Sequence, residues 1–337
     1  MPRSRRRLGL REIASRTGFS LVTVQRALAT PELVADATRE RIIKVIDGLG
    51  YIPDRNAGAL LKRRTRVLAV VVSTVAHPTF AAAIDGITER AAEEGYEILL
   101  GQTGYRVERE APVIKAMLGR RPEGLITTFN PGDAHTRKLI KLSGTPMVEM
   151  WDDPPDPIDM VVGISNERAG AAAAEYFAGR GRTRAAVFGT HFYRDEARWL
   201  GFAKAWRRLR GTEPERVLVG VGHQATEESY DSGGDFFEKT GQLKGRIDSV
   251  FCTSDITAAA VVFEAGRRGI DVPEELAVCG FGDLPFAGAM APRLTTIAVP
   301  AYDMGRMAVE ALLATHKSRG STRRVVLDTP VLPRESG

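Results

Sequence analysis

The chain has 337 residues, 43% hydrophobic and 26% charged, with 47 Lys and Arg against 42 Asp and Glu. That length exceeds what one hydrophobic core usually fills, so two or three domains are expected. The composition is that of a globular protein, and no apolar run approaches the ~20 residues that span a bilayer, which excludes a helical membrane protein.

The basic excess is unevenly placed. Residues 1–66 hold 15 Lys and Arg against 6 Asp and Glu, leaving 32 against 36 over 67–337. A segment that neutralises nucleic-acid phosphates needs such an excess in one place. The first residues, MPRSRRRLGL, are basic and lack the apolar stretch of a signal peptide, so a cytoplasmic protein is expected. Cys252 and Cys279 fall in apolar strand-like runs, and the five histidines are scattered, so neither a disulfide framework nor a metal site is indicated and no cofactor is expected.

In chain order, Arg3, Arg5, Arg6 and Arg7 form a basic arm. Leu10 to Ala29, LREIASRTGFSLVTVQRALA, then reads as two short helices around a tight turn. Ala14 is small where the helices touch, Gly18 sits where the turn needs positive φ, and Val24 locks the second helix on the first. Ser20 is placed to cap that second helix. A helix-turn-helix of this kind lays its second helix in the major groove of DNA. An αα-hairpin in a core shows similar spacing, but the coincident basic charge favours the nucleic-acid reading. DATRERIIKVIDGLGY predicts a third helix, capped by Asp36 or Thr38, with Ile42, Val45, Ile46 and Leu49 facing the first two and Gly50 ending it. Residues 1–50 are thus an all-α DNA-binding head. Residues 51–66 follow as a linker able to become helical, weakened by Gly58.

From Val67 the rhythm alternates. Strands at VLAVVV, YEILLG, GLITT, PMVEMW, MVVGIS, AAVFG, RVLVGV, SVFCTS and LAVCGF are separated by amphipathic helices. Continuous apolar strands between helices imply parallel sheets covered on both faces. Two such units give two doubly wound α/β lobes over 67–337, with ligands expected at the carboxyl ends of the strands, in the cleft between them.

These features together resemble the lactose-repressor (LacI) family of bacterial transcription regulators. The resemblance rests on REIASRTGFSLVTVQRAL, TRERIIKVIDGLGYIP, the Ala57–Leu60 linker, FCTSDITAAA, GIDVPEELAVCGFGD and APRLTTI. It implies a multidomain chain with a periplasmic-binding-protein-like body. The first lobe is expected at about 67–163 and 297–324, and the second at about 164–296 and 325–334. It further implies a homodimer on a near-palindromic operator. Thr17, Ser20, Leu21, Val22, Thr23 and Arg26 would meet DNA from the head, with Arg26 donating to guanine or phosphate. Tyr51, Asn56, Ala57 and Leu60 would meet it from the linker, Leu60 as a minor-groove wedge. The closing VVLDTPVLPRESG has no leucine heptads, so dimers rather than tetramers are expected.

GQTGY, RRPEGLITT and VEMWDDPPDPIDMVVGISN look most like the gluconate-repressor branch, which implies a sugar acid or its phosphate as effector. Arg198 matches the arginine with which relatives grip the effector, and a guanidinium suits a carboxylate or phosphate. Glu149, Trp151 and Asp152 cluster at a strand's carboxyl end, where an indole can stack on a sugar and carboxylates can accept hydroxyl protons; strand alternation allows one of them to face the core instead. His77, Thr79 and Phe80 follow the first strand. Ser254 and Asp255 stand at the family's Asn-Asp pair, and Asp283 stands beside Gly282, where relatives carry an acid.

Three other readings compete. A LacI-type regulator answering to a different sugar or a nucleobase keeps the whole architecture. A nucleotide-cofactor enzyme would use Gly220, Gly222 and Ala225 of VLVGVGHQA as a fingerprint, but the third Gly and a catalytic constellation are missing. A periplasmic sugar carrier would not have the basic head.

Overall fold

The protein is described by a computed structural model covering residues 9–49, 65–218, 232–241, 246–315 and 324–337. The basic arm, Gly50, Tyr51, Asn56, Ala57, Leu60 and the 219–225 glycine stretch lie outside the described residues. The chain divides into two units, one running to Thr65 and one from Arg66.

The first unit contains α1 (Leu10–Thr17), α2 (Leu21–Ala29), a short 3-10 turn (Pro31–Leu33) and α3 (Asp36–Gly48). Gly18 ends α1 at φ 75°, a conformation that costs glycine little. Ser20 caps α2 by accepting the Thr23 N–H at 3.1 Å. Ile13, Val24, Ala27, Ile42 and Ile46 are buried together as the core of the head, and the Arg41 guanidinium lies over the Phe19 ring. One expectation fails: neither Asp36 nor Thr38 caps α3. The N-cap position is Ala35, with no side-chain cap, and Asp36 is instead the acidic residue of the first turn, favourable to the helix dipole.

The second unit holds two six-stranded sheets. Strands β1 (Val67–Val72), β2 (Glu97–Gln102), β3 (Gly124–Thr127), β4 (Met147–Met150), β5 (Met160–Ile164) and β11 (Arg324–Leu327) form the first, in the order β11-β5-β4-β3-β1-β2. Strands β6 (Ala185–Gly189), β7 (Glu215–Leu218), β8 (Ser249–Cys252), β9 (Ala277–Gly282), β10 (Thr295–Ala298) and β12 (Val331–Leu332) form the second, in the order β12-β10-β9-β8-β6-β7. All pairings are parallel except β10 with β12. Helices α4 (Pro78–Glu93), α5 (Val107–Leu118) and α6 (Ala134–Ser143) follow strands of the first lobe; α7 (Asn166–Gly179), α8 (Tyr193–Arg210), α9 (Gly233–Lys239) and α10 (Asp255–Arg268) belong to the second. Helix α11 (Ala301–Thr315) packs on α4.

The lobe boundaries differ from the expected ones at the tail. Val325–Leu327 was expected in the second lobe but pairs with β5 in the first, and the last strand of the second lobe before the return is β10, ending at Ala298. The apolar run VVL completes the parallel sheet beside β5, and only after it does the chain return to β12. The chain therefore passes between sheets after Ile164, after Ala298 and after Leu327.

Helices α7 and α8 touch backbone to backbone. A Cβ at Gly170 would overlap the Arg198 carbonyl, and one at Gly201 would overlap the Glu167 carbonyl. This fixes α8, and the side chains of its first turns, against the segment that enters the second lobe. Among the described residues no helix is long and apolar enough to cross a membrane.

Candidate functional site

In the head, the face of α2 away from the core presents Val22, Gln25 and Arg26, all exposed, with Leu21 and Thr23 half-buried beside them. Val24 and Ala27 are turned inward. An apolar residue at the helix start and a guanidinium one turn on suit thymine methyl and guanine or phosphate contacts. Ser20 is exposed, its hydroxyl shared between the Thr23 amide and the Thr23 hydroxyl. Thr17 is a correction: it is buried and its hydroxyl donates to the Ile13 carbonyl at 2.8 Å, so it holds the turn rather than the DNA face. Its place in the last turn of α1, where its hydroxyl reaches the Ile13 and Ala14 carbonyls and accepts the Phe19 N–H, explains this.

In the body, a cleft opens where β1, β2, β4, β6, β8 and β9 end, at the carboxyl edges of both sheets. Of the expected residues, His77, Thr79, Phe80, Trp151, Arg198 and Ser254 line it. Phe80 meets Trp151 edge-on, ring centroids 5.1 Å apart, and Tyr105 of the first lobe meets Phe192 of the second at 5.3 Å. His77 caps α4, its Nδ1 accepting the Thr79 N–H, and Ser254 caps α10 by accepting the Ile256 N–H. Trp151 has φ 79°, and its buried indole N–H has no hydrogen-bond partner among the described residues. Strain of this kind in a non-glycine residue is concentrated at functional positions.

Arg198 is held on three sides. Its Nε donates to Asn166 at 2.9 Å and its Nη1 to Asp195 at 3.0 Å and to the Thr253 carbonyl at 2.8 Å. Its guanidinium lies 3.6 Å from the Phe281 ring centroid. One helical turn earlier, Arg194 crosses the cleft: Nε and Nη2 donate to Asp152 at 2.8–3.1 Å and Nη2 to the Thr128 carbonyl at 2.6 Å. Tyr193 donates its hydroxyl to Asp152, and burial raises the Tyr193 pKa above its ordinary value.

Four expected residues do not line the cleft. Glu149 is fully buried on the other face of its sheet, accepting the Ile158 N–H at 2.6 Å, and burial raises its pKa. Strand alternation would send Trp151 the same way; the positive φ at Trp151 turns the ring back to Phe80. Asp152 lies beneath the cleft, engaged by Arg194, Tyr193 and Asn166. Asp255 is buried, accepting from the Leu284 amide and the Thr296 hydroxyl, and burial pushes its pKa up to about 6. Asp283 anchors the tail through Arg334 at 2.6 Å.

Sequence reasoning missed Tyr105, Thr190, Phe192, Arg194, Asp195, Thr253 and Phe281. Two signals were available: Arg194 and Asp195 lie one turn from Arg198 on the same helix face, and Thr190 and Thr253 immediately follow strand ends, with Phe192 just before the next helix.

Residues 9–54 match bacterial regulatory proteins of the lacI family, and residues 174–337 match a periplasmic binding protein-like domain. The HTH-type transcriptional regulator GntR of Escherichia coli (strain K12) is 30% identical over 318 residues, 94% of each chain. The GntR of Pseudomonas aeruginosa is 33% identical over 306 residues, 90% of this chain and 88% of its own. Among solved structures, a LacI family regulator from Silicibacter pomeroyi superposes with a TM-score of 0.89 at 26% identity, covering 98% of this chain and 99% of its own. A helix-turn-helix head with an exposed second helix, a two-lobed body with a cleft at the strand ends, and full-length relatives that are regulators rather than enzymes lead to one conclusion: the chain belongs to the LacI family of DNA-binding transcriptional regulators.

Proposed function

We propose that this regulator represses sugar-acid catabolic genes and is controlled by gluconate or a phosphorylated sugar acid bound between its lobes. The observation that carries this reading is the balance of donors and acceptors around the cleft. The carboxylates of Asp152 and Asp195 are already engaged: Asp152 accepts from Arg194, Tyr193 and Asn166, and Asp195 from Thr190 and Arg198. What lines the cavity besides Asp195 includes two guanidiniums, Trp151 and the hydroxyl-bearing Thr79 and Ser254. A ligand rich in acceptors and carrying a negative charge complements such a site. The resemblance to the gluconate-repressor branch supports the same class.

In this reading the protein works as a cytoplasmic homodimer on a near-palindromic operator. Leu21, Val22 and Arg26 read bases, and Leu60 acts as the wedge. Effector closes the lobes and lowers operator affinity, by no more than its preference for the closed arrangement. A neutral sugar or a nucleobase is the second reading, favoured by the aromatic lining of Phe80, Tyr105, Trp151 and Phe192. Calorimetric titration of the full chain with gluconate and 6-phosphogluconate decides between them. Binding of either acid that Arg198→Ala abolishes supports the proposal. Binding of neutral sugars or purines alone rejects it.

A further inference from the structure

We infer that Arg194 is the residue through which this cleft selects an anionic effector, and that it does so only when the lobes are closed. The inference rests on the sugar-acid reading above and assigns its specificity to a residue other than Arg198.

The two arginines are held differently. Arg198 is fixed inside the second lobe, by Asn166, Asp195 and the Thr253 carbonyl, and by stacking on Phe281. Arg194 leaves the second lobe and is fixed by the first. Its partners are the carboxylate of Asp152, after β4, and the carbonyl of Thr128, after β3. Asp152 is itself positioned, taking the Tyr193 hydroxyl at 2.8 Å and the Asn166 side-chain amide at 2.9 Å.

Arg194 is 5% exposed and lines the cavity. Its Nε and Nη2 are spent on the crossing; Nη1 has no hydrogen bond among the described residues. The Arg194 charge lies over the Phe192 and Tyr193 rings, which shield it from water. A guanidinium is rigid and planar, so anchoring two of its nitrogens fixes the direction of the third. When the lobes part, Asp152 and Thr128 move away from α8 and the nitrogen loses that direction. Anion recognition and closure are then one event. A ligand carboxylate or phosphate at Nη1 strengthens the closed arrangement, whereas a neutral polyol of the same length has no group to place there.

This differs from a purely structural ion pair, which would hold the lobes together without regard to the charge of the ligand. The test compares D-gluconate, 6-phosphogluconate and the neutral alcohol D-glucitol by calorimetry on the full-length protein. Arg194→Lys keeps a cation opposite Asp152, and so preserves the fold, but a single ammonium cannot reach Asp152, Thr128 and a ligand together. Arg194→Met removes the charge. The wild-type protein is expected to bind an acid and not glucitol. Arg194→Lys should lose tenfold or more in acid affinity, and Arg194→Met should lose the distinction between acid and alcohol. If both variants bind the acid within twofold of wild type, Arg194 is only a structural tie and the inference fails while the sugar-acid reading stands. If the wild-type protein binds neither acid, that reading is wrong and the inference falls with it.

Discussion

Gly201→Ala is a small change that should disable the cleft from a distance. Gly201 sits where α8 crosses α7, and a Cβ there would overlap the Glu167 carbonyl. Restoring van der Waals separation requires the two helices to part by roughly 1.5 Å. Glu167 adjoins Asn166, whose side-chain oxygen accepts from Arg198 Nε at 2.9 Å, so the same displacement breaks that bond. Overpacking costs about 1–3 kcal/mol, and losing a hydrogen bond to a charged group costs about 1.5–3 kcal/mol. The gain in helix propensity from Gly to Ala, about 1 kcal/mol, offsets only part of this. A net loss of about 1.5–5 kcal/mol is expected. The three tryptophans, Trp151, Trp199 and Trp206, all lie in the second unit, so their fluorescence during urea unfolding reports the body alone. Effector affinity should fall with stability, because Arg198 loses one of its anchors. A variant that unfolds at the wild-type midpoint and binds gluconate as wild type does would refute the argument from the helix crossing.

Ser20→Ala removes the α2 cap and should destabilise the head by about 1 kcal/mol, read as a lower melting temperature of the head's circular dichroism signal. Arg26→Ala should weaken operator binding by about 1–3 kcal/mol and relax discrimination at one base pair, seen by anisotropy on a panel of single-substitution operators; a uniform loss on all sequences with a smaller salt slope would make it a phosphate contact instead. Glu110 is buried, one carboxyl oxygen lacks a partner among the described residues, and burial together with Asp133 pushes its pKa up to about 7 from an ordinary 4.5. Because the folded pKa is the higher one, the native state binds the proton more tightly, and stability declines as pH rises from about 4.5 to about 7. Glu110→Gln should remove this decline and stabilise the protein by roughly 1–2 kcal/mol at pH 8; a decline of unchanged size in the variant would assign it to other groups.

The architecture was legible because its signals are periodic. Apolar strands alternating with helices specify parallel sheets, and Gly18, Ser20 and Val24 specify the turn, the cap and the packing of the head. The tail was less so: Val325–Leu327 is too short to reveal which sheet it joins, since that depends on a free edge beside β5. In the cleft, residues read from their place after strand ends, such as Phe80, Trp151 and Ser254, line it as expected. The acids were misread for one physical reason. A carboxylate near a strand end serves as readily to hold backbone amides and arginines as to meet a ligand, and Glu149, Asp152, Asp255 and Asp283 all have such partners. Trp151 reaches the cleft only through its positive φ, which alternation does not foresee.

The most direct test is the response of the protein–DNA complex itself. Operator fragments selected from random DNA by the full-length protein would be labelled and their release followed by fluorescence anisotropy during titration with gluconate, 6-phosphogluconate and glucose. Release by one of the acids, lost in Arg198→Ala while that variant still binds the operator, is the predicted result. Release by glucose alone, or acid-driven release that survives Arg198→Ala, would contradict the account.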